Sequence, residues 1–272
     1  MLRRIFIRFF YSLRFLYYIM LLTAGTYAQD ALTPSEMAKE LHNPLSNLKE
    51  VIFQLDVLPN VGAEKKNDYV NTIQPVWPFQ LEDGWRLVTY SIIPLVSQPG
   101  LTFGDDRTNG LGDTTFFGYF VPPDEGKISW GFGPVLQVPT HTNNALGIDK
   151  WAAGPSAIVV VQPGNWSIFG LLDNIWSFGG SDSEDINLLN FQYQAVWLYS
   201  EDWFFISNWT VSADWEESSS ERWTVPIGGG FGKQFKISDE QYQAYAQVGY
   251  NVVKPDSIST TWRFIIALTR VF

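Results

Sequence analysis

Chemistry needs nucleophiles, bases or metal ligands, and this chain is poor in all of them. It has two histidines and no cysteine in 272 residues, which excludes disulfides, thiolate metal sites and cysteine nucleophiles. His42 lies near the N-terminus, and His141 sits in Thr140-His141-Thr142-Asn143-Asn144. A hydrolase site needs a histidine base beside a serine and an orienting acid. No His-x-Ser pattern occurs, so His141 reads as a solvated loop residue. Three acidic clusters, Asp105-Asp106, Asp182-Glu184-Asp185 and Asp214-Glu216-Glu217, carry oxygens that suit Ca²⁺ or Mg²⁺. Their setting in polar stretches makes them solvated loop faces. Gly228-Gly229-Gly230-Phe231-Gly232 lacks the Gly-Lys-Ser/Thr of a phosphate loop and reads as a site of strand bending or close approach. We assign no catalytic residue, no metal site and no cofactor.

What remains is neutral hydrogen-bonding chemistry laid out with period two. In 186–199, Leu189, Phe191, Tyr193, Ala195, Trp197 and Tyr199 alternate with Leu188, Asn190, Gln192, Gln194, Val196 and Leu198. In 241–252, Tyr242, Ala244, Ala246, Val248 and Tyr250 alternate with Gln241, Gln243, Tyr245, Gln247, Gly249 and Asn251. Such alternation is a strand signature. One face has aromatics at its ends. The other is rich in amides rather than in Lys and Glu, which suits a wet interior contacting ligand without a strong field. Asn190, Gln192, Gln194, Gln243, Gln247 and Asn251 are therefore the pore-lining candidates. Stretches 166–178 and 203–214 carry apolar residues on both faces, as a partly apolar interior would require.

These faces must be positioned by strands. Aromatics make up 16% of the chain and charged residues 17%, against roughly 25% charged in a soluble domain. Mean hydropathy is nevertheless -0.05, and no long apolar run follows residue 28. Helices therefore do not span a bilayer here, whereas strands exposing alternate residues to lipid do. Strand-like runs fall at 48–58, 67–80, 85–97, 111–121, 127–139, 151–161, 166–178, 186–199, 203–214, 222–237, 241–252 and 261–272. Short turns alternate with longer polar loops at 59–66, 98–110, 140–150, 179–185, 215–221 and 253–260. Even strand number and loop lengths segregated by parity predict an all-β, transmembrane antiparallel barrel of about twelve strands. The last run, Trp262 to Phe272, has aromatics at both ends and aliphatics between them. Only Arg270 breaks its apolar face, and its head is expected to snorkel to water.

The N-terminus supplies an address. Arg3, Arg4, Arg8 and Arg14 precede a short apolar run from Phe15 to Thr23, and Thr26-Tyr27-Ala28 offers a cleavage site. Residues 1–28 read as a secretory signal peptide. The net charge is -10 for the whole chain; loss of these four arginines makes the mature chain more acidic still, which argues against nucleic-acid binding. In residues 29–46, Thr33-Pro34-Ser35-Glu36 is a capping box that starts a helix from Pro34 to about Leu41. We read this segment as a loose helix in preference to a plug. The barrel occupies 47–272.

Two short motifs carry a family resemblance. Asn43-Pro44-Leu45-Ser46-Asn47-Leu48 follows the Ala38-Lys39-Glu40-Leu41 helix, and Gly110-Leu111-Gly112-Asp113 opens the fourth strand. With the signal peptide and the terminal Phe272, the chain resembles the outer-membrane proteins grouped as the "MetA-pathway of phenol degradation" family, some mislabelled neuromedin U and others called transporters. The resemblance implies a barrel passing small, often hydrophobic or aromatic, compounds. It brings no catalytic residues. Gly110, Gly112 and Asp113 are placed at the rim, where the strand leaves a long loop.

The expected function is a bacterial outer-membrane channel for small molecules. Its expected partners are outer-membrane lipid and lipopolysaccharide, the barrel-assembly machinery through the strand ending at Phe272, and a small-molecule substrate. The alternatives are a closed structural or surface-interaction barrel and, third, a barrel lipid hydrolase.

Overall fold

The computed structural model describes residues 34–123, 128–256, 258 and 260–272; the signal-peptide region and Thr33 of the capping box lie outside them. One helix, α1 (Pro34–Glu40), precedes β1 (Glu50–Val61), β2 (Lys66–Gln80), β3 (Arg86–Gln98), β4 in two pieces (Thr108–Leu111 and Thr114–Val121), β5 (Ile128–Val138), β6 (Lys150–Val161), β7 (Trp166–Gly180), β8 (Asn187–Leu198), β9 (Trp203–Asp214), β10 (Trp223–Ile237), β11 (Glu240–Val253) and β12 (Trp262–Val271). The strands form a closed twelve-stranded antiparallel barrel. No helix among the described residues is long and apolar enough to cross a membrane.

Each strand pairs with its sequence neighbours, and the first pairs with the last, from Glu50 opposite Val271 to Val57 opposite Phe264. The Phe272 N–H continues this seam by donating to the Lys49 carbonyl at 2.9 Å. The outward face follows the alternation of the sequence. Trp130, Trp166, Trp197 and Trp203 are exposed at the short-turn end, and Trp151, Trp176, Trp223 and Trp262 at the long-loop end. Between the two belts Leu172, Phe191 and Ile266 are exposed. An apolar band between aromatic girdles is the wall a bilayer selects.

Three local departures from expectation have physical causes. The first loop shrinks to residues 62–65, because β1 and β2 continue their ladder past the apolar band and turn through Gly62 (φ 71°) and Lys65 (φ 51°). The fourth strand starts earlier and breaks at Gly112-Asp113, where the Gly112 N–H donates to the Pro94 carbonyl at 3.0 Å. Arg270 does not reach for water. It pairs with Glu240 and lies over the Phe272 ring at 4.5 Å, while Tyr242 donates to the other Glu240 oxygen at 2.6 Å. A carboxylate one strand away satisfies the guanidinium more locally than solvent does.

The glycine run lies in β10 and adapts the wall. Ile206 pairs with Gly230 and Ser212 with Thr224, and the β9–β10 ladder lapses between those pairs. Gln247 stitches the gap from one strand further on. Its side-chain oxygen accepts from the Asn208 N–H at 3.1 Å and its amide donates to the Asn208 carbonyl at 2.9 Å. Ser207 Oγ donates to the Gly228 carbonyl at 2.7 Å. Bare glycines on β10 and β11 leave room for large rings: a Cβ on Gly232 of β10 would meet Phe204 at 2.3 Å and one on Gly249 of β11 would meet Trp209 at 2.2 Å.

Gln247→Ala removes both partners of a backbone unit in the wall, and each buried orphan costs about 1–3 kcal/mol. We expect the refolded barrel to lose about 2–5 kcal/mol in urea unfolding followed by gel mobility. Gln243→Ala, on the same strand and also inward, is expected to lose less.

Candidate functional site

The interior has two unlike walls. From β3 to β7 it presents Tyr90, Ile92, Tyr119, Ile158, Phe169 and Leu171; from β8 round to β2 it presents mostly amides, hydroxyls and a few charges. Ile148 and Ile186, from two of the long loops, pack with the apolar cluster. A cavity of about 370 Å³ lies between these walls.

The N-terminal segment forms the floor of this cavity. Leu41, His42 and Pro44 line it, and Leu45 is fully buried in the apolar cluster with Val88, Tyr119 and Val121. Ala38 joins the opposite cluster around Phe204 and Trp209. Carbonyls left over beyond the end of a short helix need donors, and the barrel supplies them. Gln162 donates to the Lys39 carbonyl at 2.8 Å, and Ser167 and Gln194 donate to the His42 carbonyl at 3.0 and 3.4 Å. Asn47 accepts from Gln80 at 3.0 Å and from Arg86 at 3.1 Å. The segment is therefore packed into the lumen and is not the loose helix expected from sequence, where no periodicity connects a short helix to distant strands.

Strand register orders the polar wall into levels. Gln243, Thr269, Ile52 and Gln74 form one rung across β11, β12, β1 and β2. Nearer the short turns, Glu50, Val76 and Tyr90 form another across β1, β2 and β3. Above both, Asp56 is ion-paired with Arg263 and accepts from Gln54 at 2.9 Å. Tyr90 donates to Gln74 at 2.7 Å, and Gln74 donates to Thr72 at 2.6 Å.

The sequence-picked amides separate into groups. Gln192, Gln194 and Gln243 line the cavity. Gln247 points inward and is engaged by Asn208 as described. Asn190 donates to Asp173 at 3.0 Å, and Asn251 donates to the Thr260 carbonyl at 3.3 Å. Glu50, Asp56, Arg263 and the tyrosines were not singled out from sequence. The available signal was a charge at an inward position of an otherwise apolar strand, as with Asp56 in Gln54-Leu55-Asp56.

The rim motif holds a loop. Asp113 accepts from the His141 ring Nδ1 at 2.6 Å, from the His141 N–H at 3.2 Å and from the Ile148 N–H at 2.8 Å. Thr140 donates to the Gly112 carbonyl at 2.8 Å, and a Cβ on Gly110 would meet Thr142 at 2.1 Å. Loop 139–149 is thus clamped over the break in β4. His141 is largely buried against Asp113, so the solvated-loop reading fails: the acid and the loop backbone enclose the ring. The hydroxyl neighbours are threonines engaged with Gly112 and with one another, which leaves an Asp–His pair without a serine.

Elsewhere, Asp185 accepts from Lys150 at 3.0 Å, which with Ser177 holds its carboxyl below the usual range. Among the described residues no group of three or more His, Asp or Glu is placed to hold a metal ion. On the outside of the barrel an open groove of about 620 Å³ runs past Pro134 and Pro155, which face each other across β5 and β6.

No protein-family profile matches the chain, and no curated protein does. Among solved structures it is similar to an outer membrane channel from Pseudomonas putida F1, with TM-score 0.63 and 16% identity over 92% of this chain and 100% of that one. It is also similar to the NanC porin, with TM-score 0.52 and 9% identity over 82% of this chain and 98% of the other. At these identities the likeness is one of fold.

Two predictions follow from the clamp and the floor. Asp113→Ala is expected to free loop 139–149, read as faster cleavage at Lys150 by trypsin with barrel stability nearly unchanged. Burial lowers the His42 imidazole to about 3, below the ~6.5 it has when exposed. The docked ring is neutral, so docking is at full strength above pH ~6.5 and weakens as pH falls from there towards about 3. Acidification is expected to raise the tryptic accessibility of Lys39, and His42→Phe to remove most of that dependence.

Proposed function

We propose that this chain is a bacterial outer-membrane channel for small molecules, inserted with its short turns facing the periplasm. The observation that carries this reading is the roughly 370 Å³ cavity within a closed barrel, floored by the chain segment that precedes β1. A barrel filled for stability alone would pack its interior. This one leaves a two-sided chamber, and its floor is a segment tied to the wall through side-chain hydrogen bonds and two apolar anchors. The fold likeness to a channel and a porin supports the same reading.

The finer assignments are of the same kind. The motifs at 43–48 and 110–113 support kinship with the "MetA-pathway of phenol degradation" proteins, and the apolar wall suits the hydrophobic or aromatic compounds proposed for them. The aromatic belts suit outer-membrane lipid and lipopolysaccharide. The outward Trp262, Phe264 and Ile266 of β12 offer an address to the assembly machinery. Residues 1–28 act as the cleaved export signal. Gln192, Gln194 and Gln243 are the amides proposed to touch a passing solute.

A second reading, a closed structural barrel, is favoured by one observation: Leu45 is completely buried, so the floor is well packed. Single-channel recording in planar bilayers separates the two, comparing chain 29–272 with chain 47–272. We expect little steady conductance from the first and a marked rise in the second. Silence in both, from barrels that run as folded on gels, would sink the channel reading.

A further inference from the structure

The acidic and basic side chains that face the cavity do not pair off evenly. Asp56 and Arg263 are paired, with Asp56 almost wholly buried. Glu50 lines the same cavity, is 6% exposed, and makes no hydrogen bond or ion pair among the described residues. It sits on the inner face at the first residue of β1, beside Val76 of β2 and one rung from Gln243 and Thr269. A buried carboxyl without a partner is costly, and a cation brought to it removes that cost.

The surroundings specify what kind of cation. Tyr90 shares the rung of Glu50, and its hydroxyl already donates to Gln74 at 2.7 Å. The Tyr245 hydroxyl donates to Gln54 at 3.4 Å. Tyr90 stacks on Phe117 at 5.4 Å, and the Tyr90 and Tyr245 rings both line the cavity, where aromatic rings attract ammonium groups. Across the cavity Phe169 and Leu171 present apolar surface. Among the described residues no group of three or more His, Asp or Glu gathers there to hold a bare metal ion. An ammonium carrying an apolar or aromatic body would satisfy both walls. At the long-loop end Asp105, Asp106, Glu184, Glu216 and Glu217 are exposed, a field that gathers cations at the mouth.

We propose that the cavity is a recognition site for a small organic ammonium ion with an apolar body, with Glu50 as its counter-ion. This rests on the channel reading for the ligand's access, and the test keeps the two apart.

Binding is measured by calorimetry on detergent-solubilised chain 29–272, where no transport occurs, using benzylammonium, benzyl alcohol and benzoate. Conductance is recorded separately. We expect benzylammonium to bind best. Glu50→Gln is expected to weaken it by roughly thirtyfold or more, as for the loss of one member of a buried charge pair. Glu50→Asp, which keeps the charge, is expected to retain most of the affinity. Gel mobility confirms that each variant is folded. Equal binding of the three probes, unchanged benzylammonium binding in the Glu50→Gln variant, or no benzylammonium binding at millimolar concentration would overturn the proposal. Binding without conductance in any form would leave it standing and overturn the channel. Conductance with no benzylammonium binding would do the reverse.

Discussion

Every other feature of this molecule depends on one constraint: a wall facing hydrocarbon has no water to satisfy its peptide groups, so each N–H and C=O must find a partner within the protein. Closure of β1 on β12 meets the constraint globally, and the Phe272 N–H bond to the Lys49 carbonyl extends it to the last residue. The β9–β10 lapse shows what happens locally when the ladder fails. The peptide at Asn208 is completed by a side-chain amide that arrives from β11 across a strand. That crossing requires Gly228 and Gly230 to be bare on the inner face. The glycine run and Gln247 are one device, although they are on different strands.

Closure also creates an inside, and the asymmetry of that inside positions the N-terminal segment. Leu45 goes to the apolar wall, where Val88, Val121 and Tyr119 exclude water. The carbonyls of Lys39 and His42 go to Gln162, Ser167 and Gln194. A helix of seven residues is too short to hold itself together in water. Its order derives from these two sets of contacts, and a change to either wall is felt by the floor.

Much of the wall was legible in the sequence because lipid and lumen alternate strictly along a strand. Phe191, Trp197 and Tyr199 face out, and Gln194, Val196 and Leu198 face in, as the period-two pattern requires. Which individual side chains meet across neighbouring strands was not legible. Asp56 and Arg263, Arg270 and Glu240, and Asp113 and His141 are pairs whose members are far apart in the chain. Alternation assigns each to a face and says nothing of which level it occupies. The same limit explains the amides. Gln243 and Gln247 have identical periodic signatures, yet one meets the cavity and the other completes a backbone, a difference set by the gap two strands away. His141 looked solvated because a polar loop hides its own folding: Asp113 closes the loop by accepting three donors.

The join between floor and wall decides how any opening must proceed. Lys49 belongs to the closing seam through its carbonyl, so it stays with the barrel while the ladder stands. Asn47 is held only by side chains, those of Gln80 and Arg86. Residues before Asn47 take no part in strand pairing, so their departure would cost the bonds from Gln162, Ser167 and Gln194 to the Lys39 and His42 carbonyls but no ladder bond, and the floor joins the wall at Asn47 and Leu48. The floor remains covalently attached, so its return is intramolecular and fast relative to a free ligand's. On the channel reading proposed above, a solute displaces a tethered competitor. Glu50 is the second residue past Leu48 and faces the cavity, so a group bound there lies close to the point at which the floor joins the wall.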